Sequence, residues 1–347
     1  MSDAELSPGA VWHDRLFERI PLPPFGVGAA IALGLLAVFG GLGLLTGELA
    51  RLGPPGAGWW QHRDLRLGIL LALLAGTLPA ALRYHTLGSA RNSAALAESG
   101  LWPASTALLF PPRELSRSSL RVGLWCLLIV PVFAVSIDRD PTLYFTDWYW
   151  NPGSVFSWSV GLFTAFATGV FLTRVRADAQ RFAELARAIP RVDLFEARAL
   201  LPFARQGLRS AVPGLIFVTF LAPNLVDRGF WFAIIGFGGM MLALSAASLL
   251  LPVRGVRLRL QAAKRDELDR LNAALRGEPG ALQGSPLANR PELSVADLLA
   301  YRRFVESVPE WPIDAGTLGR IGIYVGIPLL SWVGAALVER GLDVAIG

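Results

Sequence analysis

Residues able to do acid–base, nucleophilic or metal chemistry are few in this chain and far apart. There are three histidines, His13, His62 and His85, and a single cysteine, Cys126. One cysteine excludes an intrachain disulfide and a thiolate-based metal site. Asp138, Asp140 and Asp147 form an acidic group beside the aromatic run Tyr144 to Trp150. No Gly-rich loop leads into Lys and Ser or Thr, and neither His-Glu-x-x-His nor Gly-x-Ser-x-Gly occurs. Those absences argue against a phosphate-cradling P-loop and against zinc and serine hydrolases of those kinds. No catalytic residue, cofactor or metal is assigned on this basis. His85, following Arg83 and Tyr84, has the chemistry either to meet a lipid phosphate or to anchor a helix at the headgroups.

The elements that would position these residues are apolar and long. The chain is 53% hydrophobic and only 17% charged, where a soluble domain carries about a quarter charged residues. The charges fall in blocks, leaving seven apolar runs at about 25–47, 67–83, 120–137, 154–172, 208–225, 230–252 and 318–338. Crossing ~30 Å of hydrocarbon takes ~20 helical residues. The reading is an all-α, multi-pass membrane bundle of about seven transmembrane helices with a small helical cytoplasmic layer. No run has an ionisable residue near its middle, so the usual marker of an intramembrane pathway is missing. The second and fifth runs are the shortest, and Pro213 leaves the fifth open to a re-entrant course.

Arginine sets the orientation, because lysine occurs only at Lys264. The loops after runs two, four and six are rich in arginine, including Arg181 and Arg187; those after runs three and five hold only Arg139 and Arg228. The positive-inside rule then puts the N-terminus in the cytoplasm and the C-terminus outside an inner cell membrane. The opening residues do not read as a secretory leader. The resulting divisions are a cytoplasmic segment 1–24, spans one to four over 25–172, cytoplasmic amphipathic helices over 173–207, a hairpin of spans over 208–252, a cytoplasmic helical loop over 253–317, and a last span with a short outer tail over 318–347. A pI near 10.0 fits loops lying on an anionic leaflet better than nucleic-acid binding.

The fourth run continues beyond the membrane. Phe171, Val175, Ala179, Phe182, Ala186 and Ile189 keep one apolar stripe, with Arg174, Asp178, Arg181 and Glu184 assigned to the other face. One helix from about Ser154 to Ile189 is predicted. Asp193 with Glu196 reads as a cap for a short helix closed by Pro202, and a new unit begins after Pro252. Leu260, Leu268, Leu271 and Leu275 share an arc that Lys264 interrupts. Ser294 and Asp297 read as a second cap, opening a helix through about Val305.

Small residues predict where helices approach in lipid. Gly161, Ala165 and Gly169 are so spaced, as are Gly322 with Gly326, Ala30 with Gly34, and Gly43 with Gly47. Pro79, Pro131 and Pro328 are candidate kinks. Hydroxyls at Thr164, Thr168, Ser245, Ser248 and Ser331 either bond back to their own helix or line a neutral pore. The first functional reading is a non-enzymatic scaffold or complex subunit recruiting a cytosolic protein through Arg181 and Arg187. The alternatives are a homo-oligomeric channel and a lipid-active enzyme built on His85 or the aspartate group.

Overall fold

The computed structural model describes residues 20–47, 63–101, 117–138, 150–189, 192–221, 234–288, 290 and 293–310, with a few isolated positions besides. Among these every regular element is helical. The helices are α1 (Pro24–Leu45), α2 (Arg63–Glu98), α3 (Arg117–Cys126), α4 (Ile129–Asp138), α5 (Pro152–Arg187), α6 (Leu201–Leu221), α7 (Gly239–Leu275) and α8 (Val295–Ser307). Four segments are long and apolar enough to cross a membrane: Pro24–Leu45, Leu65–Glu98, Pro152–Arg187 and Ile235–Leu275. Large apolar side chains point outward along the first, third and fourth of these segments and the short α3–α4 pair, among them Leu33, Val38, Trp125, Val132, Phe163 and Leu250. A water-soluble bundle turns such residues inward. The run at 318–338, with Gly322, Gly326 and Pro328, lies almost wholly outside the described residues, as do His13, His62, Asp140 and Asp147.

Three helices leave the apolar bundle without a break and build a base beneath it. The predicted end of the second run at Arg83 is not an end, because α2 continues to Glu98. Helix α5 spans Pro152–Arg187, opened by the Asn151 side chain accepting from the Ser154 backbone N–H at 2.7 Å. The break predicted after Pro252 is also absent: α7 runs through it to Leu275. An internal proline removes one backbone hydrogen bond. At Pro252 the residue is buried and its neighbours hold the helix together.

Proline has the opposite effect in the third run. Pro131 cannot donate to the Leu127 carbonyl and crowds it. The chain there tightens into short-range bonds, Leu127 to Leu124 at 3.2 Å and Leu128 to Trp125 at 3.1 Å. Two ten-residue helices, α3 and α4, replace the single span expected. Pro202 does not close a short helix either. Asp193 accepts from the Phe195 N–H at 2.8 Å as a turn, and a 3-10 turn over Ala197–Leu200 leads into α6. Pro202 is the second residue of α6, where a missing N–H costs nothing.

Helix pairs meet where side chains are smallest, but not always at the pairs picked from spacing. Gly28 and Ala32 of α1 face Gly76 and Ala80 of α2; a Cβ on Gly28 would lie 2.7 Å from the Gly76 carbonyl oxygen. Gly34 faces open space and Ala30 is exposed, so the expected Ala30–Gly34 contact is not used. Gly169 of α5 sits on α3, with Gly123 Cα and Cys126 Sγ each 2.8 Å from a built Cβ. Gly161 stands at ordinary contact distance from Val130 and Leu71, and Ala165 is half-buried. The small-residue face of α5 is therefore used inside this chain. Gly207 and Gly214 bring α6 onto α7 at Leu249 and Ser245.

The base has its own apolar core. Phe182 and Ala186 of α5 and Ile189 just beyond it meet Leu96 of α2, Phe203 of α6, Val256, Leu260 and Leu271 of α7, and Leu298, Tyr301 and Val305 of α8. Phe182 and Phe203 pack edge to face with centroids 6.0 Å apart. Lys264 does not spoil the α7 arc, because its ammonium reaches the carbonyls of Glu306 (2.6 Å) and Val308 (3.1 Å) at the end of α8. A cation there satisfies orphan carbonyls and opposes the helix dipole. Glu267 is buried but bonded by Ser285 and by Arg270, the latter at 3.0 Å, which ties the loop after α7 to the helix. Ser294 and Asp297 form the predicted capping box at the start of α8.

Two outcomes test this packing. Gly76→Val forces a side chain into the α1 backbone and is expected to cost about 1–3 kcal/mol or more. Gly34→Val, which meets nothing, is expected to leave the thermal midpoint in detergent unchanged; equal effects would contradict the assigned contact. The second concerns the α8 cap. The Ser294 side-chain and backbone hydrogen bonds hold the Asp297 carboxyl below its ordinary value. Its contribution is therefore complete above the unfolded value of about 3.9 and lost as pH falls through the folded one. Asp297→Asn is expected to destabilise the base at neutral pH, with the difference from wild type disappearing in strong acid, as followed by circular dichroism.

Candidate functional site

Where α2, α5 and α6 pass from the bundle into the base, polar side chains replace apolar ones at the helix seam. His85, Ser89 and Asn92 follow one another on α2 at spacings of four and three, which puts them on one face. Asp178 of α5 meets the first: its Oδ2 lies 3.0 Å from His85 Nε2. His85 and Asp178 are 0% and 2% exposed, so this is an interior pair and not a surface ion pair. Arg174, one turn earlier on α5, places Nε 3.8 Å from the same carboxylate oxygen. The Phe171 ring stands edge-on to His85 at 6.4 Å. Two turns further along α2, Asn92 donates to Gln206 Oε1 of α6 at 3.0 Å. Ser210 bonds back to the Gln206 carbonyl at 2.9 Å.

The arrangement ties α2 to α5 and α2 to α6 through buried side chains. The buried His85 Nδ1 and Gln206 Nε2 have no hydrogen-bond partner among the described residues. No group of three or more His, Cys, Asp or Glu side chains suited to a metal occurs among the described residues.

His85 therefore stands in the interior of the described fold. Arg187 is exposed at the end of α5, where its carbonyl accepts from the Arg259 guanidinium, with Nε at 3.1 Å. Arg181 is half-buried. Neither arginine belongs to the polar seam. Asp138 is the last residue of α4. Thr164, Thr168 and Ser248 are turned inward and donate to carbonyls one turn earlier on their own helices, each at 2.7 Å. Ser245 is buried against Gly214. These four hydroxyls line no exposed face.

Asp178, Ser89, Asn92 and Gln206 were not singled out from the sequence, although a signal for Asp178 was there. It stands seven residues after Phe171 and four before Phe182, which places it inside the apolar arc of α5 and not on the polar face. A carboxylate in an apolar arc demands a buried partner. His85 qualifies once α2 is known to continue past Arg83. Comparison with protein-family models, with curated proteins and with solved structures gives no match.

Breaking a buried pair by removing one member costs about 3–5 kcal/mol, since the other is left uncompensated. Asp178→Asn and His85→Phe are each expected to lower stability on this scale. The double variant should cost clearly less than the sum of the two. Strict additivity in detergent unfolding would mean that the two side chains do not act as a pair.

Proposed function

We propose that this chain is a non-enzymatic, multi-pass inner-membrane protein, a scaffold or subunit of a membrane complex that presents its base to a cytosolic protein. The N-terminus lies in the cytoplasm and the C-terminus outside. The observation that carries this reading is the continuity of α2, α5 and α7. Each is apolar in one half and enters a packed base in the other, and the apolar halves of α5 and α7 turn large apolar side chains outward. Only a chain with two solvents needs that division. The base carries exposed arginines on several elements, including Arg187, Arg259, Arg265 and Arg303, which suits an acidic partner.

The channel alternative drew on hydroxyl-lined faces; of those hydroxyls Thr164, Thr168 and Ser248 donate to their own helices and Ser245 is buried, while Ser331 lies outside the described residues. The enzyme alternative drew in part on an accessible His85, and that ring is enclosed. Neither gains an observation here.

Two arms test the proposal. Single cysteines at positions 187 and 265 should resist a membrane-impermeant thiol reagent in intact cells and react once the cells are opened; labelling from outside would reverse the topology. Arg187→Glu with Arg303→Glu should release any stoichiometric cytosolic partner while the thermal midpoint stays within about 0.5 kcal/mol of wild type, as expected for surface changes. Retention of the partner would remove this arginine face from the account.

A further inference from the structure

On the outer side of the α2–α6 seam, away from Asp178, one arginine is held in an unusual way. Arg209 of α6 lies along α2 with its guanidinium carbon 5.6 Å from the centroid of the Tyr84 ring. It can do so because Gly88, one turn after Tyr84, has no side chain. A Cβ built there would meet the Arg209 guanidinium, with Cδ at 2.5 Å and Cζ at 3.0 Å. Tyr84 is in turn packed on Phe25 at the start of α1, with centroids 5.3 Å apart. Arg209 is half-exposed. It is thus oriented by a bare stretch of helix and an aromatic face, and still reachable from outside.

Two further cations stand on the same corner. Arg205 precedes Arg209 by one turn of α6, and Arg91 follows Tyr84 by two turns of α2; both are exposed. Among the described residues no carboxylate pairs with Arg91, Arg205 or Arg209. Three arginines on neighbouring turns of α2 and α6, with no carboxylate partner among the described residues, leave an anion to be supplied. The guanidinium fork matches phosphate oxygens in a bidentate way, and stacking on tyrosine fixes its plane. The corner also has an apolar edge, with Phe25 half-buried and Leu22 exposed at the beginning of α1.

We propose that this corner, between the cytoplasmic ends of α1, α2 and α6, binds the phosphate of an anionic phospholipid. Arg209 is the oriented contact, and Arg205 and Arg91 are supporting charges. The choice of lipid over free phosphate follows from the apolar edge beside the arginines, which suits the glycerol and acyl part of a lipid. The inference rests on the membrane reading above, and it replaces His85 with Arg209 as the residue that meets the headgroup.

The test uses the full chain in neutral detergent, titrated with short-chain phosphatidylglycerol, short-chain phosphatidylcholine or inorganic phosphate, with the thermal midpoint as readout. A ligand that binds only the folded state raises that midpoint. Phosphatidylglycerol should raise it and phosphatidylcholine should not. Arg209→Gln should weaken the apparent affinity about fivefold, the equivalent of ~1 kcal/mol for one basic side chain at an anionic surface. Gly88→Ala should do the same without altering the lipid-free midpoint, because the atoms it displaces, from Cδ outward, belong to one flexible side chain and not to backbone. Unchanged affinity in both variants would overturn the site. An equal response to inorganic phosphate would overturn the lipid as its ligand. A chain that stays folded and soluble without detergent would overturn the membrane reading itself, whereas a detergent-dependent chain indifferent to phosphatidylglycerol would overturn this inference alone.

Discussion

A carboxylate and an imidazole with 2% and 0% exposure hold together the place where the bundle becomes the base. Removing charged or polar groups from water is costly unless they find one another. Asp178 and His85 do so across two helices, and Arg174 adds to the same carboxylate. Because these contacts are directional, α2 and α5 cannot slide or rotate against one another without losing them. Asn92 and Gln206 impose the same constraint between α2 and α6. Apolar packing above and below could tolerate several registers; the polar seam selects one. Everything built on it, from the Phe182–Phe203 contact to the Lys264 cap on α8, depends on that choice.

The seam also separates two ways of stabilising helices. Above it, contacts rely on small residues: Gly28 on Gly76, Gly169 on Gly123, Gly214 on Ser245. Under the proposed membrane function, that is the expected solution, since lipid is as apolar as the side chains and hydrophobic burial gives no preference. Below it, large apolar side chains from five helices are enclosed, and the helix ends carry caps. That is the solution water requires. The same three helices use both.

Much of this was legible from residue order. The apolar stripe from Phe171 to Ile189 predicted α5 nearly to the residue, because its period runs unbroken and nothing stops it before Pro190. Ser294 and Asp297 predicted the α8 cap, since a capping box is local chemistry. The lengths of α2 and α7 were not legible. Past Arg83 the sequence turns polar, and His85, Ser89 and Asn92 look like a solvated face until Asp178 and Gln206 are brought opposite. Prolines were ambiguous for a similar reason. Pro131 splits a thin, outward-facing segment, while Pro252 sits in a helix whose neighbours hold it straight through the defect. Glycine spacing named the right face of α5 and the wrong pair on α1, because spacing alone does not say which side a partner occupies.

The central claim is that single helices pass from an apolar layer into a packed, water-side base without a break. Amide hydrogen exchange of the full chain in lipid nanodiscs tests it directly. Residues 84–98 and 174–187 should exchange slowly, as part of the same protected helices as residues 67–83 and 154–172, although they lie where water has access. Exchange at the rate of a free peptide over 84–98 or 174–187, with protection confined to the apolar halves, would contradict it.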